Sequence, residues 1–219
     1  NLRPDLGEHN KQGAVTQTVT TARVSVGSPR ILQRLEQFAI LDKGSENKAF
    51  TDRAFRLVRS EQAALLRGLF TADGTVANYS EKCQYVSLDS TSLELLRQVQ
   101  LLLLNFGIKS KIYENRRAGD RVALLPDGRG GIKEYPVQQV HSLRISRSSR
   151  IRFEEEIGFM PESPKAAALA KLNRTVGAYS EPLVDRVQSL KYLGEEPVFD
   201  LMEPDTHHFI ANGIGVHNC

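Results

Sequence analysis

The chain has 219 residues, 40% of them hydrophobic and 25% charged, a composition that permits one large core or two small ones and excludes disordered and collagen-like classes. The longest apolar runs, 101–104 and 166–170, are far too short to span a bilayer and no secretory leader is legible, so a cytoplasmic protein without a membrane partner is expected. Two cysteines, Cys83 and Cys219, exclude a disulfide scaffold and leave thiol chemistry as the role for either. The net charge of +3 is unevenly spread, with +1 over residues 1–96, +8 over 97–152 and −6 over 153–219. A basic middle predicts a polyanion-binding surface confined to that region. The chain starts at Asn1 and stops at a cysteine, and both ends read as cut from a longer protein.

Residues 1–20 are polar and aperiodic and read as a frayed segment. Ala63, Ala64, Leu66, Leu69 and Phe70 recur at helical spacing, with Ser60 as N-cap and Gly74 as the stop. Residues 84–88 read as a strand, with the preceding Cys83 expected to be packed rather than reactive, and Thr91 or Ser92 caps a second helix through Phe106, closed by Gly107. Over 108–113, Ile108, Ser110 and Ile112 share one face and Lys109, Lys111 and Tyr113 the other, predicting a strand with a basic face. Short apolar runs at 121–125 and 137–145, separated by turn-rich stretches, predict hairpins. The cluster Gly128-Arg129-Gly130-Gly131 has neither the spacing nor the following helix of a phosphate-binding loop and reads as a hairpin tip. Arg144, Arg147, Arg150 and Arg152 surround a serine-rich turn at 146–149, after which 153–157 reads as helix. Ser163-Pro164 opens another helix through Leu172. From about Ser180 the strand-like segments 183–190, 198–201 and 209–214 suggest a second, all-β module. Residues 24–28 followed by 31–41 weakly echo 86–90 followed by 93–104, each reading as strand, Ser-bearing turn and apolar helix.

The nonapeptide Leu66-Arg67-Gly68-Leu69-Phe70-Thr71-Ala72-Asp73-Gly74 resembles the signature of LAGLIDADG homing endonucleases, departing from it at Arg67, Phe70 and Thr71. Gly68 and Ala72, four apart, form a small-residue helix face that a second helix can approach closely. A carboxylate at a helix C-terminus opposes the macrodipole at a cost of about 0.3–1 kcal/mol, which a cation would offset. The resemblance implies that Asp73 is a catalytic, metal-holding acid and that Mg²⁺ is the cofactor. It also implies that two such helices pack side by side, their acids holding metals that activate water for phosphodiester cleavage. The block from Tyr85 through Ile112 resembles the segment after the second signature in intein-borne endonucleases. On that reading Lys109, Lys111, Arg116, Arg117, Arg144, Arg147 and Arg150 contact double-stranded DNA, tracking phosphates or reading base edges. Only one signature is present, so the echo at 24–41 is read as the tail of a first half-domain and the fragment as an incomplete nuclease by itself.

The C-terminal stretch combines Phe199-Asp200-Leu201, His207 seven residues after Asp200, Phe209-Ile210-Ala211-Asn212-Gly213, and the terminal His217-Asn218-Cys219. It is similar to the C-terminal splicing blocks of inteins. The implied chemistry is attack of the Asn218 amide nitrogen on its own backbone carbonyl, giving a succinimide and releasing the amine of Cys219. His217 and His207 would supply the proton and the oxyanion donor. Asp200 would orient or acidify the site, and Cys219, as the first residue of the downstream extein, would accept the acyl group through its thiolate. His208 is expected to project away, Asn212-Gly213 reads as a tight turn, and His9 and His141 are left as surface or structural residues. A zinc site among His207, His208, His217 and Cys219 fits no familiar spacing. The sequence lacks an N-terminal nucleophile and a Thr-x-x-His block, so the remainder of the intein, in cis or in trans, and the host exteins are expected partners.

The expected fold is α+β: a LAGLIDADG endonuclease region of mixed helices and an antiparallel β saddle, followed by the closing β strands of a Hint splicing domain. Residues 1–59 are read as the remnant of a preceding half or linker, 60–178 as the endonuclease half-domain and 179–219 as the splicing segment. The expected function is autocatalytic protein splicing coupled to metal-dependent double-strand DNA cleavage, the alternative being a DNA-binding module that does not cut.

Overall fold

Amphipathic helices and short strands of complementary polarity alternate along the middle of the chain, and in a computed structural model they close on one another as a mixed α+β fold built on antiparallel sheets. The structure describes residues 13–17 and 22–26 as backbone, then 28–40, 44–79, 83–116, 122–126, 131–177 and most of 179–217, leaving out 181, 185, 198, 200 and 212. The elements are β1 (Gly13–Gln17), β2 (Ala22–Val26), α1 (Pro29–Leu35), β3 (Ala39–Ile40), β4 (Ala49–Phe50), α2 (Asp52–Phe55), α3 (Arg59–Asp73), β5 (Gly74–Asn78) and β6 (Gln84–Ser90). They continue as α4 (Leu93–Leu104), β7 (Lys111–Tyr113), β8 (Val122–Pro126), β9 (Ile132–Pro136), β10 (His141–Ser146), α5 (Arg147–Glu156), α6 (Pro164–Thr175), β11 (His208–Ala211) and β12 (Ile214–His217).

The central sheet has the order β5-β6-β10-β7, with neighbouring strands antiparallel. Its register sorts the side chains by period two. Val76, Val86, Leu88, Ile112, Leu143 and Ile145 share one face, and Tyr85, Ser87, Lys111, Tyr113, Ser142 and Arg144 share the other. The apolar face joins a core containing Leu66 and Phe70 of α3, Leu96, Val99 and Leu103 of α4, and Phe153 of α5. The Phe70 and Phe153 rings lie 4.8 Å apart and tilted, a favoured aromatic geometry. Each of these fully buried side chains contributes about 1.5–3 kcal/mol of transfer free energy.

Gly74 joins α3 to β5 without a loop. Its backbone is extended (φ −76, ψ 161), and a Cβ there would stand 2.5 Å from the Phe70 carbonyl oxygen. Glycine is therefore required by close approach rather than by left-handed geometry, and that approach places Asp73 where the helix meets the sheet. Gly107, at φ +66, closes α4 in the conformation that disfavours a Cβ.

Several expectations need correction. Helix α3 begins at Arg59, with Val58 as cap residue and its N–H donating to Glu61 Oε2 at 3.3 Å, because the Glu61 carboxylate reaches back to a free amide that Ser60 does not serve. The expected strand at 108–113 is confined to Lys111–Tyr113. The Lys109 N–H there donates to Ser149 Oγ at 3.0 Å rather than to a ladder. The serine-rich segment expected as a turn is the first turn of α5, entered through Arg147 at φ 54. Residues 13–17, expected to be frayed, pair with β2, and Cys83, expected to be packed, is exposed. Among the described residues of 183–190 there is no strand, and 209–214 is a hairpin of β11 and β12 rather than one strand. Of the expected hairpin tip at 128–131, residues 128–130 lie outside the described residues, although β8 and β9 pair on either side of it.

Arg150, expected on the DNA surface, is also corrected. It is only 2% exposed and donates to Asn173 Oδ1 at 2.6 Å, the Val176 carbonyl at 3.1 Å and the Gln84 carbonyl at 3.4 Å. It ties α5 to the end of α6 and to β6. Burial pulls its pKa down while Glu154 opposes the shift.

Candidate functional site

Helix α3 turns Leu66 and Phe70 into the core, and the same periodicity brings Ala64, Gly68 and Ala72 to its exposed side. A Cβ on Gly68 would meet nothing within 4 Å. Asp73, the last helical residue, is exposed and lines a cleft of about 370 Å³ together with Asp89, Lys48, Ser90, Thr91 and Val140. The Thr91 hydroxyl oxygen in that lining is buried and lacks a hydrogen-bond partner among the described residues. Among the described residues no three metal-ligating side chains stand close enough to enclose an ion. Two carboxylates, those of Asp73 and Asp89, thus line one cleft.

The end of α3 carries two sources of negative potential, its free carbonyls and the Asp73 carboxylate. Lys165, at the start of α6, meets both. Its ammonium donates to the Thr71 carbonyl at 2.7 Å and to the Ala72 carbonyl at 3.1 Å. Burial lowers its pKa, and the Asp73 charge pulls it back up. Ser163 fixes the start of α6 by accepting from the Ala166 N–H at 3.1 Å. The sequence marked Asp73 and passed over Lys165, because its bond to the Thr71 carbonyl spans 94 positions and only the fold creates it; Ser163-Pro164 was the one local sign that a helix start lay there.

The polar face of the central sheet holds a group of cations and rings. The Arg144 guanidinium carbon stands 4.3 Å from the centroid of Tyr85 and 4.8 Å from that of Tyr113. Lys111 Nζ and the Arg116 guanidinium lie 5.2 and 5.8 Å from the Tyr113 ring. Lys109 is engaged elsewhere, its Nζ donating to the Val184 carbonyl at 2.8 Å. Arg147 is exposed at the start of α5, and Arg117 lies outside the described residues.

In the C-terminal hairpin, register places His208 opposite His217. The His208 ring meets that of His217 edge-on at 4.9 Å, and the His207 ring lies near-parallel to it at 6.2 Å. The structure thus brings His207 and His217 together, and His208 packs against His217 rather than projecting away as expected, because it is its cross-strand partner. Asp200, Asn212, Asn218 and Cys219 lie outside the described residues.

The family model described as the LAGLIDADG-like domain matches residues 60–158. That stretch is therefore similar to the LAGLIDADG-like domain. It runs from α3 through α5 and so contains the central sheet, Asp73 and Arg144, while Lys165 reaches into it from just beyond. Over 192 residues the chain is 36% identical to the NrdEB subunit alpha of ribonucleoside-diphosphate reductase from Bacillus subtilis (strain 168), covering 83% of this chain and 17% of that protein. Over 189 residues it is 31% identical to a DNA polymerase of Thermococcus hydrothermalis, covering 80% of this chain and 10% of the polymerase. The chain therefore spans less than a fifth of the length of these relatives. Among solved structures it is similar to mesophilic variants of the homing endonuclease I-DmoI, at 22% identity and a TM-score of 0.43, covering 76% of this chain and 71% of that one. A second structure, of I-DmoI in complex with DNA and Ca, gives 21% identity and a TM-score of 0.42, with 76% and 70% covered. Within the matched stretch, Asp73, Gly68 and Ala72 occupy one helix and Lys111 and Arg144 one sheet face, whereas Arg150 is internal. No helix among the described residues is long and apolar enough to cross a membrane.

Proposed function

We propose that this chain is part of an intein whose LAGLIDADG-like domain binds and cuts double-stranded DNA and whose C-terminal segment completes a splicing domain. The observation that carries the nuclease reading is the placement of an exposed carboxylate, Asp73, where the motif helix enters the sheet that displays Arg144 and Lys111. Asp73 would hold Mg²⁺, which when bound supplies charge neutralisation and activation of water for phosphodiester cleavage. Lys165 anchors the end of that helix by its carbonyls and sets a positive charge beside Asp73. The cations of the sheet would neutralise phosphates and hold the duplex in register.

The relatives support the intein context. A reductase subunit, DNA polymerases and a replicative helicase perform unrelated chemistry, yet each matches this chain over only 8–17% of its own length. A segment shared by such different enzymes cannot hold the active site of all of them, and an insert that travels between hosts accounts for it. On this reading Asn218 cyclises, the bond to Cys219 breaks, and the released amine takes a proton, with His217 and His207 as the imidazoles that would supply it.

In the complete intein, Asp73→Asn or removal of Mg²⁺ should abolish double-strand cutting; cutting that persists removes Asp73 from the mechanism. Asn218→Ala should abolish cleavage before Cys219, and persistence there overturns the splicing assignment. A second reading, binding without cutting, is favoured by the exposed Gly68–Ala72 face. Duplex retention by the complete protein with no Mg²⁺-dependent cleavage would select it.

A further inference from the structure

We propose that Arg144 is a specificity-determining residue that reads a guanine in the duplex target, and that Tyr85 and Tyr113 are positioning residues that hold its guanidinium for that purpose. The proposal rests on the DNA-binding reading above and adds to it the residue and the base.

Strand β10 lies inside the sheet, with β6 on one side and β7 on the other. Arg144 stands opposite Ser87 of β6 and Lys111 of β7. Tyr85 stands opposite Ser146, and Tyr113 opposite Ser142. The tyrosines are therefore the two diagonal neighbours of Arg144, one on each flanking strand and displaced toward opposite ends of β10. Their rings meet the guanidinium at 4.3 and 4.8 Å. Ser87 and Ser142, small and almost fully buried, leave room for the arginine stem to lie along the sheet.

Stacking engages the faces of a guanidinium, whereas its N–H groups radiate in the plane. The ring contacts therefore immobilise Arg144 without consuming its donors. Nε makes one long contact, to Ser142 Oγ at 3.5 Å. Among the described residues Arg144 forms no ion pair, the two pairs present being Arg59–Glu156 and Arg97–Glu114. An arginine held between two rings, half-buried and with its outer fork unpaired among the described residues, has already lost much of the rotamer freedom that binding would otherwise remove. A fixed planar fork matches the two acceptors, O6 and N7, that guanine presents together in the major groove. Lys111 and Arg116 are exposed and lie on or just after the edge strand β7, a placement suited to non-specific phosphate contact.

The test is selection of bound sequences from a randomised duplex pool by the full chain and by Arg144→Lys, with the affinity of the selected duplex measured against salt. The wild type should enrich a site with guanine at one position that Arg144→Lys no longer discriminates. The loss at that position should be about 5- to 150-fold, with other positions and the salt slope unchanged because the charge is kept. The Tyr85→Leu, Tyr113→Leu double variant should weaken preference at the same position while retaining Arg144. Base preferences that are identical in wild type and Arg144→Lys overturn the proposal. So does a salt slope lowered by about one in Arg144→Gln with preferences intact, which would make Arg144 a phosphate contact. A wild-type chain that retains no duplex at all overturns the DNA-binding reading itself, an outcome separable from the other two.

Discussion

Lys165 closes the C-terminal end of the motif helix by donating to the Thr71 carbonyl at 2.7 Å, so the residue that neutralises this helix end comes from 94 positions away in sequence. Burial lowers the Lys165 pKa and the Asp73 carboxylate opposes that shift. Asp73→Asn removes the opposing charge and leaves the burial, so the Lys165 pKa should fall further. Because the folded-state value lies below the unfolded one, the unfolded chain binds more protons between them, and stability rises with pH across that interval. NMR titration of the Lys165 side chain checks the direction. A higher pKa in Asp73→Asn would show that the carboxylate does not act on it.

Two glycines of the signature should respond oppositely to alanine. Gly74→Ala forces a Cβ to 2.5 Å from the Phe70 carbonyl oxygen and 3.1 Å from its ring, an overpacking expected to destabilise by about 1–3 kcal/mol. Gly68→Ala meets open space and should stabilise the isolated chain by up to about 1 kcal/mol through helix propensity. Urea denaturation of both variants measures this. If a second motif helix packs on that face in the complete protein, Gly68→Ala should also lower duplex cleavage there.

Arg150→Met should act on folding rather than on DNA. It removes the donor from the bonds to Asn173 Oδ1 and to the Val176 and Gln84 carbonyls, at a cost of about 3 kcal/mol. Below its unfolding temperature the variant should show the wild-type salt slope for duplex binding. A slope reduced by about one would return Arg150 to the phosphate contacts.

In the turn before β11, Glu203 accepts from the Thr206 hydroxyl at 2.6 Å, the Thr206 N–H at 2.7 Å and the Asp205 N–H at 3.2 Å. These bonds hold its carboxyl at a pKa of about 2. The folded value lies below the unfolded one, so the stabilisation is fully present above about pH 4.3, the ordinary glutamate value, and is lost as pH falls through about 2. Thr206→Val removes the hydroxyl and should raise the Glu203 pKa toward the ordinary value. Carbon-detected NMR of the Glu203 carboxyl resolves the shift, and an unmoved midpoint would mean that the hydroxyl does not set it.

Local features of the sequence were legible where one short-range cause decides the outcome. Ser92 and Ser163 cap α4 and α6 as their positions suggest, each accepting an N–H three residues on at 3.1 Å. Helix α3 was found from its apolar spacing and its Asp73-Gly74 end. The alternation that put Lys111 and Tyr113 on a polar strand face held over the three residues that became β7. Failures came where partners are distant. Lys109 satisfies its backbone with Ser149 and its ammonium with Val184, neither of which a local pattern reveals, and Arg150 looked like one more cation in a basic run.

Sequence alone determined the helix and strand alternation of the middle region, the acidic end of its first long helix and the basic bias around it, because periodicity and charge are local properties. The tertiary structure decided which of the cations faces outward. Arg144 and Arg150 are the same residue type six positions apart. One lies between two tyrosines on the polar face of a sheet, and the other is buried with three oxygen partners. A guanidinium is tolerated inside when its donors are satisfied and serves a ligand when they are left open. That difference depends on groups drawn from β6, β7, α6 and the residue just after α6, which only folding brings within reach.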